Sequence, residues 1–234
     1  MFRWMSIVAG LRDFVYPPVC LTCDNLIPDG TGRICAACRN SFRRAGPADT
    51  ACNEFAARLA AEGLIDAFHA AYLFEKRGKL QDVIHCLKYS GMKSLGVGLG
   101  SELGRELVRL PEFSGADFIV PVPLHRHKRR ERGYNQSDFI CTGISSCLPA
   151  RVLPSLLIRT RNTPSQTRLD IAGRRANVSG AFALNPSCRI SLDGSVCILV
   201  DDVMTTGATI TACAEVLRKA GAAKVLATSI ALAM

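Results

Sequence analysis

Two adjacent carboxylates, Asp201 and Asp202, follow an unbroken apolar run, Val196 to Val200, and precede Thr205-Thr206-Gly207-Ala208-Thr209. Ile210, Cys213, Ala214, Leu217 and Ala220 then recur at helical spacing, and Gly221 follows as a stop. A short β-branched run bounded this way fits a parallel strand buried on both faces. The unit is therefore strand, loop, helix, with the loop where open α/β sheets bind ligands. Gly207 and its small neighbours let backbone N–H groups approach a ligand closely. The helix N-terminus beyond adds unsatisfied donors and a positive dipole end, which suit a phosphate. Thr205, Thr206 and Thr209 add hydroxyls. The acids repel phosphate, so sugar hydroxyls or a metal-bound sugar should face them. A phosphorylated sugar satisfies both ends of the loop. An ordinary strand-ending turn would use the same residue types, but a buried acid pair is costly unless engaged.

Two further constellations carry chemistry. Arg126, Lys128, Arg129, Arg130 and Arg132 crowd into PVPLHRHKRRERGYNQS, directly after a second apolar stretch, Ala116 to Val122. A charge run is usually a solvated loop or a nucleic-acid patch. Its position after a buried strand instead aims it over the same sheet edge, where guanidinium groups grip phosphates and pyrophosphate is the natural occupant. His125 and His127 lack a third partner and are expected to face solvent. The other constellation is Cys20-x-x-Cys23, eleven residues, then Cys35-x-x-Cys38. Two such knuckles make a tetrahedral zinc site, and four thiolates leave no open position, so the zinc is expected to be structural.

These residues need elements to hold them. Asp66–Phe74 reads as an opening strand, and Val152–Ile158 and Val225–Leu232 as further strands beside Ala116–Val122 and Val196–Val200. Leu80, Val83, Ile84 and Leu87 form a helix face. Leu95, Leu99, Leu103 and Leu107 with Gly96, Gly98, Gly100 and Gly104 mark a closely packed helix ending before Pro111. Tyr134-Asn135-Gln136 opens another, and Phe55, Leu59 and Ala60 suggest a connecting helix. Uniformly apolar strands predict a mainly parallel sheet with helices on both faces. RTRNTPSQTRLDIAGRRANVSGAF is long, polar and arginine-rich, as a lid over a charged centre would be.

The 234 residues allow one ordinary domain and a small appendage, with 48% hydrophobic and 21% charged residues, a globular composition. The net charge of +9 suits an anionic ligand, a nucleic acid or an acidic surface. Of eleven cysteines, four form the quartet and most others lie singly in apolar runs, which favours a reducing compartment. Trp4, Ile7, Val8, Leu11 and Phe14 fit an amphipathic helix face rather than a leader, and the location expected is cytoplasmic. No P-loop or dinucleotide fingerprint occurs in context.

VCILVDDVMTTGAT resembles the phosphoribosyl-pyrophosphate (PRPP) signature of type I phosphoribosyltransferases: hydrophobic strand, two acids, two apolar residues, then small hydroxylic residues around a glycine. The resemblance implies a Rossmann-like, mainly parallel α/β sheet. It assigns the ribose hydroxyls to Asp201 and Asp202. Thr205, Thr206, Gly207, Ala208 and Thr209 would take the 5′-phosphate. The cysteine pairs, LKYSG, PVPLHRHKRRERGYNQS and RNTPSQTRLDIAGRRANVSGAF, in this order, extend the likeness to the ComF family, phosphoribosyltransferase-like proteins named for competence and DNA uptake. Only Cys52 lies where many relatives carry a further cysteine pair. The expected division is 1–65, an N-terminal helix and zinc-ribbon-like element with its connecting helix, and 66–234, a phosphoribosyltransferase-like domain. The resemblance further implies Mg²⁺ with PRPP, Arg129 and Arg132 on the leaving pyrophosphate, and Arg174 closing over it. The alternative expectation is a non-catalytic PRPP sensor, or a competence accessory contacting single-stranded DNA or a DNA-uptake helicase.

Overall fold

A computed structural model describes residues 18–27, 32–46, 49–161 and 180–233. In chain order the elements are α1 (Ala36–Asn40), α2 (Thr50–Ala61), β1 (Ala67–Phe74), α3 (Lys79–Tyr89), α4 (Lys93–Leu107) and α5 (Pro111–Ser114). They continue with β2 (Phe118–Pro121), α6 (Arg126–Arg132), α7 (Gln136–Ser145), β3 (Arg151–Val152), β4 (Leu157–Arg159) and β5 (Phe182–Leu184). The chain closes with β6 (Val196–Met204), α8 (Ala208–Lys219) and β7 (Lys224–Ala233).

Five strands form one parallel sheet in the order β1-β7-β6-β2-β3, so β6 lies at its centre. Central placement explains its composition: with helices on both faces, no position of the strand can be polar until it leaves the layer. Alternation then sorts its side chains. Ile198 and Val200 join the cluster holding Leu87, Leu99, Leu103, Ile140 and Ile144. Cys197 and Leu199 enter the opposite cluster with Phe55, Leu59, Ile210, Cys213 and Leu217. Helices α3, α4 and α7 therefore cover one face, and α2 and α8 the other.

Two expected strands differ from those observed. Val152–Ile158 is not one parallel strand. The Leu153 amide still donates to the Ile119 carbonyl, at 2.9 Å, and there the ladder ends: Pro154, with its fixed φ, opens a turn that carries Ser155, the next residue in register to donate, away from β2. The chain turns, with Leu156 N–H donating to Leu153 O at 3.3 Å, and β4 pairs antiparallel with β5 in a separate two-stranded sheet. Val196–Val200 is longer than expected: β6 runs to Met204, so both acids lie within the strand rather than after it.

The cysteine element is fused to the sheet. Ala45 N–H donates to Ala71 O at 3.1 Å and Leu73 N–H to Arg43 O at 2.8 Å, laying residues 43–45 antiparallel along the free edge of β1. Cys20, Ile27, Ile34, Cys38 and Phe42 belong to the same buried cluster as Tyr72, Leu80 and Ile84. Phe42 meets Tyr72 edge-on, with ring centroids 5.5 Å apart.

Helices α4 and α7 pack closely enough that glycine is required between them. A Cβ on Gly100 would sit inside the carbonyl oxygen of Ile140, whereas one on Gly98, on the same helix, would meet nothing within 4 Å. Gly100→Ala is therefore expected to destabilise the fold by about 1–3 kcal/mol through overpacking. Gly98→Ala should stabilise it by up to about 1 kcal/mol through helix propensity. Urea unfolding of the two variants checks this; shifts of the same sign would refute the close contact.

Candidate functional site

The acids sit at the C-terminal end of β6, and strand alternation sends them to opposite faces. Asp202 shares its face with Ile198 and Val200, and there Lys88, near the end of α3, pairs with it, Nζ to Oδ2 at 3.0 Å. Asp201 shares its face with Cys197 and Leu199, beneath α8 and within electrostatic reach of Arg159 at the end of β4. Each carboxylate also accepts the next backbone amide: Asp202 N–H to Asp201 Oδ1 at 2.8 Å, and Val203 N–H to Asp202 Oδ1 at 2.7 Å. The local backbone is thus stiffened by its own side chains.

Burial pushes the Asp201 carboxyl up to about 7, helped by the charge on Asp202, against the Asp202 amide, Lys88 and Arg159, which lower it. Its folded-state value lies above the 3.8 of an exposed aspartate, so the folded chain holds a proton that the unfolded chain releases. That contribution is complete below about pH 4 and is lost as pH rises toward 7.

The loop beyond is a donor cradle. Gly207 is left-handed, φ 82°, and forms the N-cap of α8. Its missing side chain also makes room for the neighbouring helix: a Cβ there would lie 2.7 Å from Leu59 Cδ2. Arg58 of α2 donates to Thr206 O at 3.4 Å. Among the described residues, no backbone or side-chain acceptor takes the amides of Thr205, Thr206, Gly207, Ala208 or Thr209. Orphan amides at a helix start are anion donors. A cleft of about 480 Å³, lined by Phe55, Arg58, Thr205, Thr206 and Leu232, opens beside them.

The arginine cluster forms the short helix α6 rather than a loop. Arg129 leans toward Asp138, 3.9 Å away, and lines a cleft of about 560 Å³ with His125, Arg126, Asn135 and Arg159. Burial, then Arg159 and the other neighbouring cations, hold His125 below its usual range, as expected in a positive cleft. Arg132 is directed elsewhere. It donates to Gln136 Oε1 at 3.0 Å and stacks over the Tyr89 ring, 5.1 Å from its centroid. The expected lid spans residues 159–182: its ends pair, Arg159 of β4 with Phe182 of β5, while residues 162–179, with Arg174, lie outside the described residues, as does the expected N-terminal helix face.

Lys88, Arg159 and the α2 residues Phe55, Arg58 and Leu59 were not singled out as site residues from sequence. LKYSG placed Lys88 in a recognisable segment, and Arg159 opens the arginine-rich stretch, so both had a signal. That the connecting helix leans on the Thr-Thr-Gly turn had none.

The four cysteines converge. Their sulfurs all lie within 4.8 Å of one another, with Cys23 and Cys35 3.8 Å apart. Zinc–thiolate bonds of about 2.3 Å put tetrahedral sulfurs roughly 3.8 Å apart, so the donor set fits structural Zn²⁺. Among the described residues this is the one such metal-ligating group.

The double zinc ribbon domain family matches residues 11–68, and the phosphoribosyl transferase domain family matches residues 159–233. The DNA utilization protein YhgH of Escherichia coli strain K12 is 34% identical over 149 residues, 62% of this chain and 64% of that protein. Competence protein F of Haemophilus influenzae is 34% identical over 117 residues, half of each chain (50% and 51%). The chain is a homologue of these two bacterial proteins. It spans less than two thirds of their length. It combines a cysteine-rich zinc-ribbon element with a phosphoribosyltransferase-like parallel sheet. Among solved structures, the glutamine PRPP amidotransferase from B. subtilis superimposes with a TM-score of 0.38 and 22% identity, over 58% of this chain and 26% of that one. A hypoxanthine phosphoribosyltransferase from Staphylococcus aureus gives 0.35 and 12%, over 58% and 62%. No helix among the described residues is long and apolar enough to cross a membrane.

Asp201→Asn removes the buried titration. The variant should gain stability over the wild type at pH 8 and lose that advantage at pH 4, where the native acid is already neutral. Thermal unfolding at the two pH values measures it, and a pH-independent difference would refute the buried-acid account.

Proposed function

We propose that this chain binds PRPP together with Mg²⁺ and transfers its phosphoribosyl group to an acceptor. The observation that carries the reading is the juxtaposition on one central strand end: two carboxylates, then five amides without a described acceptor at the start of α8. Hydrogen-bond acceptors and anion donors follow one another along the chain here, as a ribose 5-phosphate requires. Asp201 and Asp202 would take the ribose hydroxyls. Thr205, Thr206, Gly207, Ala208 and Thr209 would take the phosphate.

In the transfer, the bond from the anomeric carbon to pyrophosphate breaks, and the electron pair leaves with pyrophosphate. The acceptor atom bonds to that carbon, and its proton passes to solvent. The carbon gains positive character, so the protein's task is positioning and charge neutralisation. Bound Mg²⁺, a hard cation suited to carboxylate and phosphate oxygens, supplies part of that neutralisation. Arg129 lines the cationic cleft for the leaving group, and Arg132, held on Gln136 and the Tyr89 ring, would have to turn from them to join it. Lys88, once ribose hydroxyls engage Asp202, is free to turn its charge toward the pyrophosphate. Arg174 is proposed for the closing segment. The eleven cysteines, none in a disulfide, suit a reducing cytoplasm.

A second reading is a competence accessory in which the pocket senses PRPP and a basic face meets single-stranded DNA or a helicase. Its support is the exposed arginine surface of α6, with Tyr89, 56% exposed, stacked under Arg132.

Calorimetric titration with PRPP, with and without Mg²⁺, separates these possibilities from a non-binding fold. Asp201→Asn and Asp202→Asn should each weaken PRPP binding by about ten- to a hundredfold, the worth of roughly 1.5–3 kcal/mol for a charge-assisted hydrogen bond. Unaltered affinity in both, with circular dichroism unchanged, would overturn the reading. Pyrophosphate release with an acceptor distinguishes the transferase from the sensor.

A further inference from the structure

Helix α3 touches both constellations of the molecule. At its first residue, Lys79 Nζ donates to Cys38 Sγ at 3.5 Å. Near its last, Lys88 pairs with Asp202 at 3.0 Å. The two lysines are separated by about two and a half turns, or roughly 13 Å of helix. No loop intervenes, and the buried face of Leu80, Val83, Ile84 and Leu87 packs in the cluster that also holds Cys20, Ile34 and Cys38.

The two ends are held differently. At the C-terminal end, Tyr134 Oη donates to Leu87 O, and Gln136 Nε2 donates to Lys88 O at 3.5 Å. At the N-terminal end, Gly78 offers no side-chain cap, and it follows Arg77, a non-glycine residue at φ 65°. There the recorded side-chain ties are Gln81 Oε1, which accepts from the Arg77 amide at 2.8 Å, and the lysine–thiolate bond to Cys38.

The chemistry suits the contact. Four thiolates around one Zn²⁺ carry net negative charge, and an ammonium donating to a ligand sulfur offsets it. Partners of this kind fix the orientation of metal ligands. The knuckle is also held against the sheet domain from the side, by Arg39 on Glu102 and Arg44 on Glu106, both acids being on α4. Cys38 is thus anchored, and a movement of its sulfur falls on Lys79.

We propose that Lys79 is a positioning residue: it ties the zinc ligand Cys38 to the start of α3, so that occupancy of the four-cysteine site sets the order of the helix that presents Lys88 to Asp202. The consequence for PRPP rests on the function proposed above; the mechanical coupling does not, and it is tested without PRPP.

The test uses the full chain, zinc-loaded and zinc-stripped, under reducing conditions. Transfer of zinc to a colorimetric chelator should be about tenfold faster in Lys79→Met, which keeps the apolar stem, and near the wild-type rate in Lys79→Arg. Hydrogen exchange should rise over Leu80–Tyr89 in the zinc-stripped wild type, while Ala208–Lys219 stays protected. Lys88→Met should leave zinc transfer unchanged. Equal transfer rates in wild type and Lys79→Met would overturn the tie. Unchanged exchange over α3 after zinc removal, or an equal rise over α3 and α8, would overturn the coupling, since the second outcome reports global unfolding. Because the exchange arm needs no substitution, misfolding of Lys79→Met leaves the proposal decidable.

Discussion

A carboxylate at the end of a strand covered on both faces cannot keep its full water shell, and β6 carries two in succession. Strand alternation sends them to opposite faces, so the cation that pairs directly with Asp202 reaches Asp201 only through its field. On one, Lys88 reaches from α3; on the other, Arg159 approaches from β4 while the acid itself drifts toward neutrality. Both cations come from outside the strand–loop–helix unit. The ends of α3 and β4 are therefore fixed by electrostatic demand as well as by packing.

The cysteine element answers a second constraint. β1 is an edge strand, and an open edge is a template for pairing with other chains. Residues 43–45 cover it, and they are held in place by a segment too small to bury a core unaided. A metal supplies what the core cannot. Its apolar residues then merge with those of the sheet, so zinc, edge cover and the α3 face form one packed body rather than a tethered appendage.

Much of this was legible in the chain before folding. The apolar run of β6, the acids, the glycine-centred loop and the helical spacing after it are local patterns, and the elements formed in that order, the strand extending through the acids to Met204. The C-x-x-C pairs were legible for the same reason: ligand spacing is a property of the turn itself. Val152–Ile158 failed because hydropathy does not register a turn, and the one opened by Pro154 divides an apolar run into strands of two sheets. Lys88 was hidden because a lysine in the last turn of a helix is usually solvated; its meaning comes from an aspartate more than a hundred residues away. Arg129 and Arg132 read as one cluster, yet Asp138 draws one toward a cleft and the ring of Tyr89 holds the other.

The packing of α2 on the loop has the largest consequence for how the site works. A phosphate cradle made of backbone amides needs a backbone that stays put, because amides that must be reorganised at binding lose much of their electrostatic worth. Gly207 provides the left-handed turn, but a glycine also loosens the chain. Leu59 and Phe55 close over the side where its Cβ would be, and Arg58 holds the carbonyl of Thr206. Asp49, capping the start of α2 through the amides of Ala51 and Cys52, keeps that helix at full length. The segment joining the zinc element to the sheet is thus also the outer wall of the loop, and its packing is what would let a glycine-centred turn act as the proposed preorganised site.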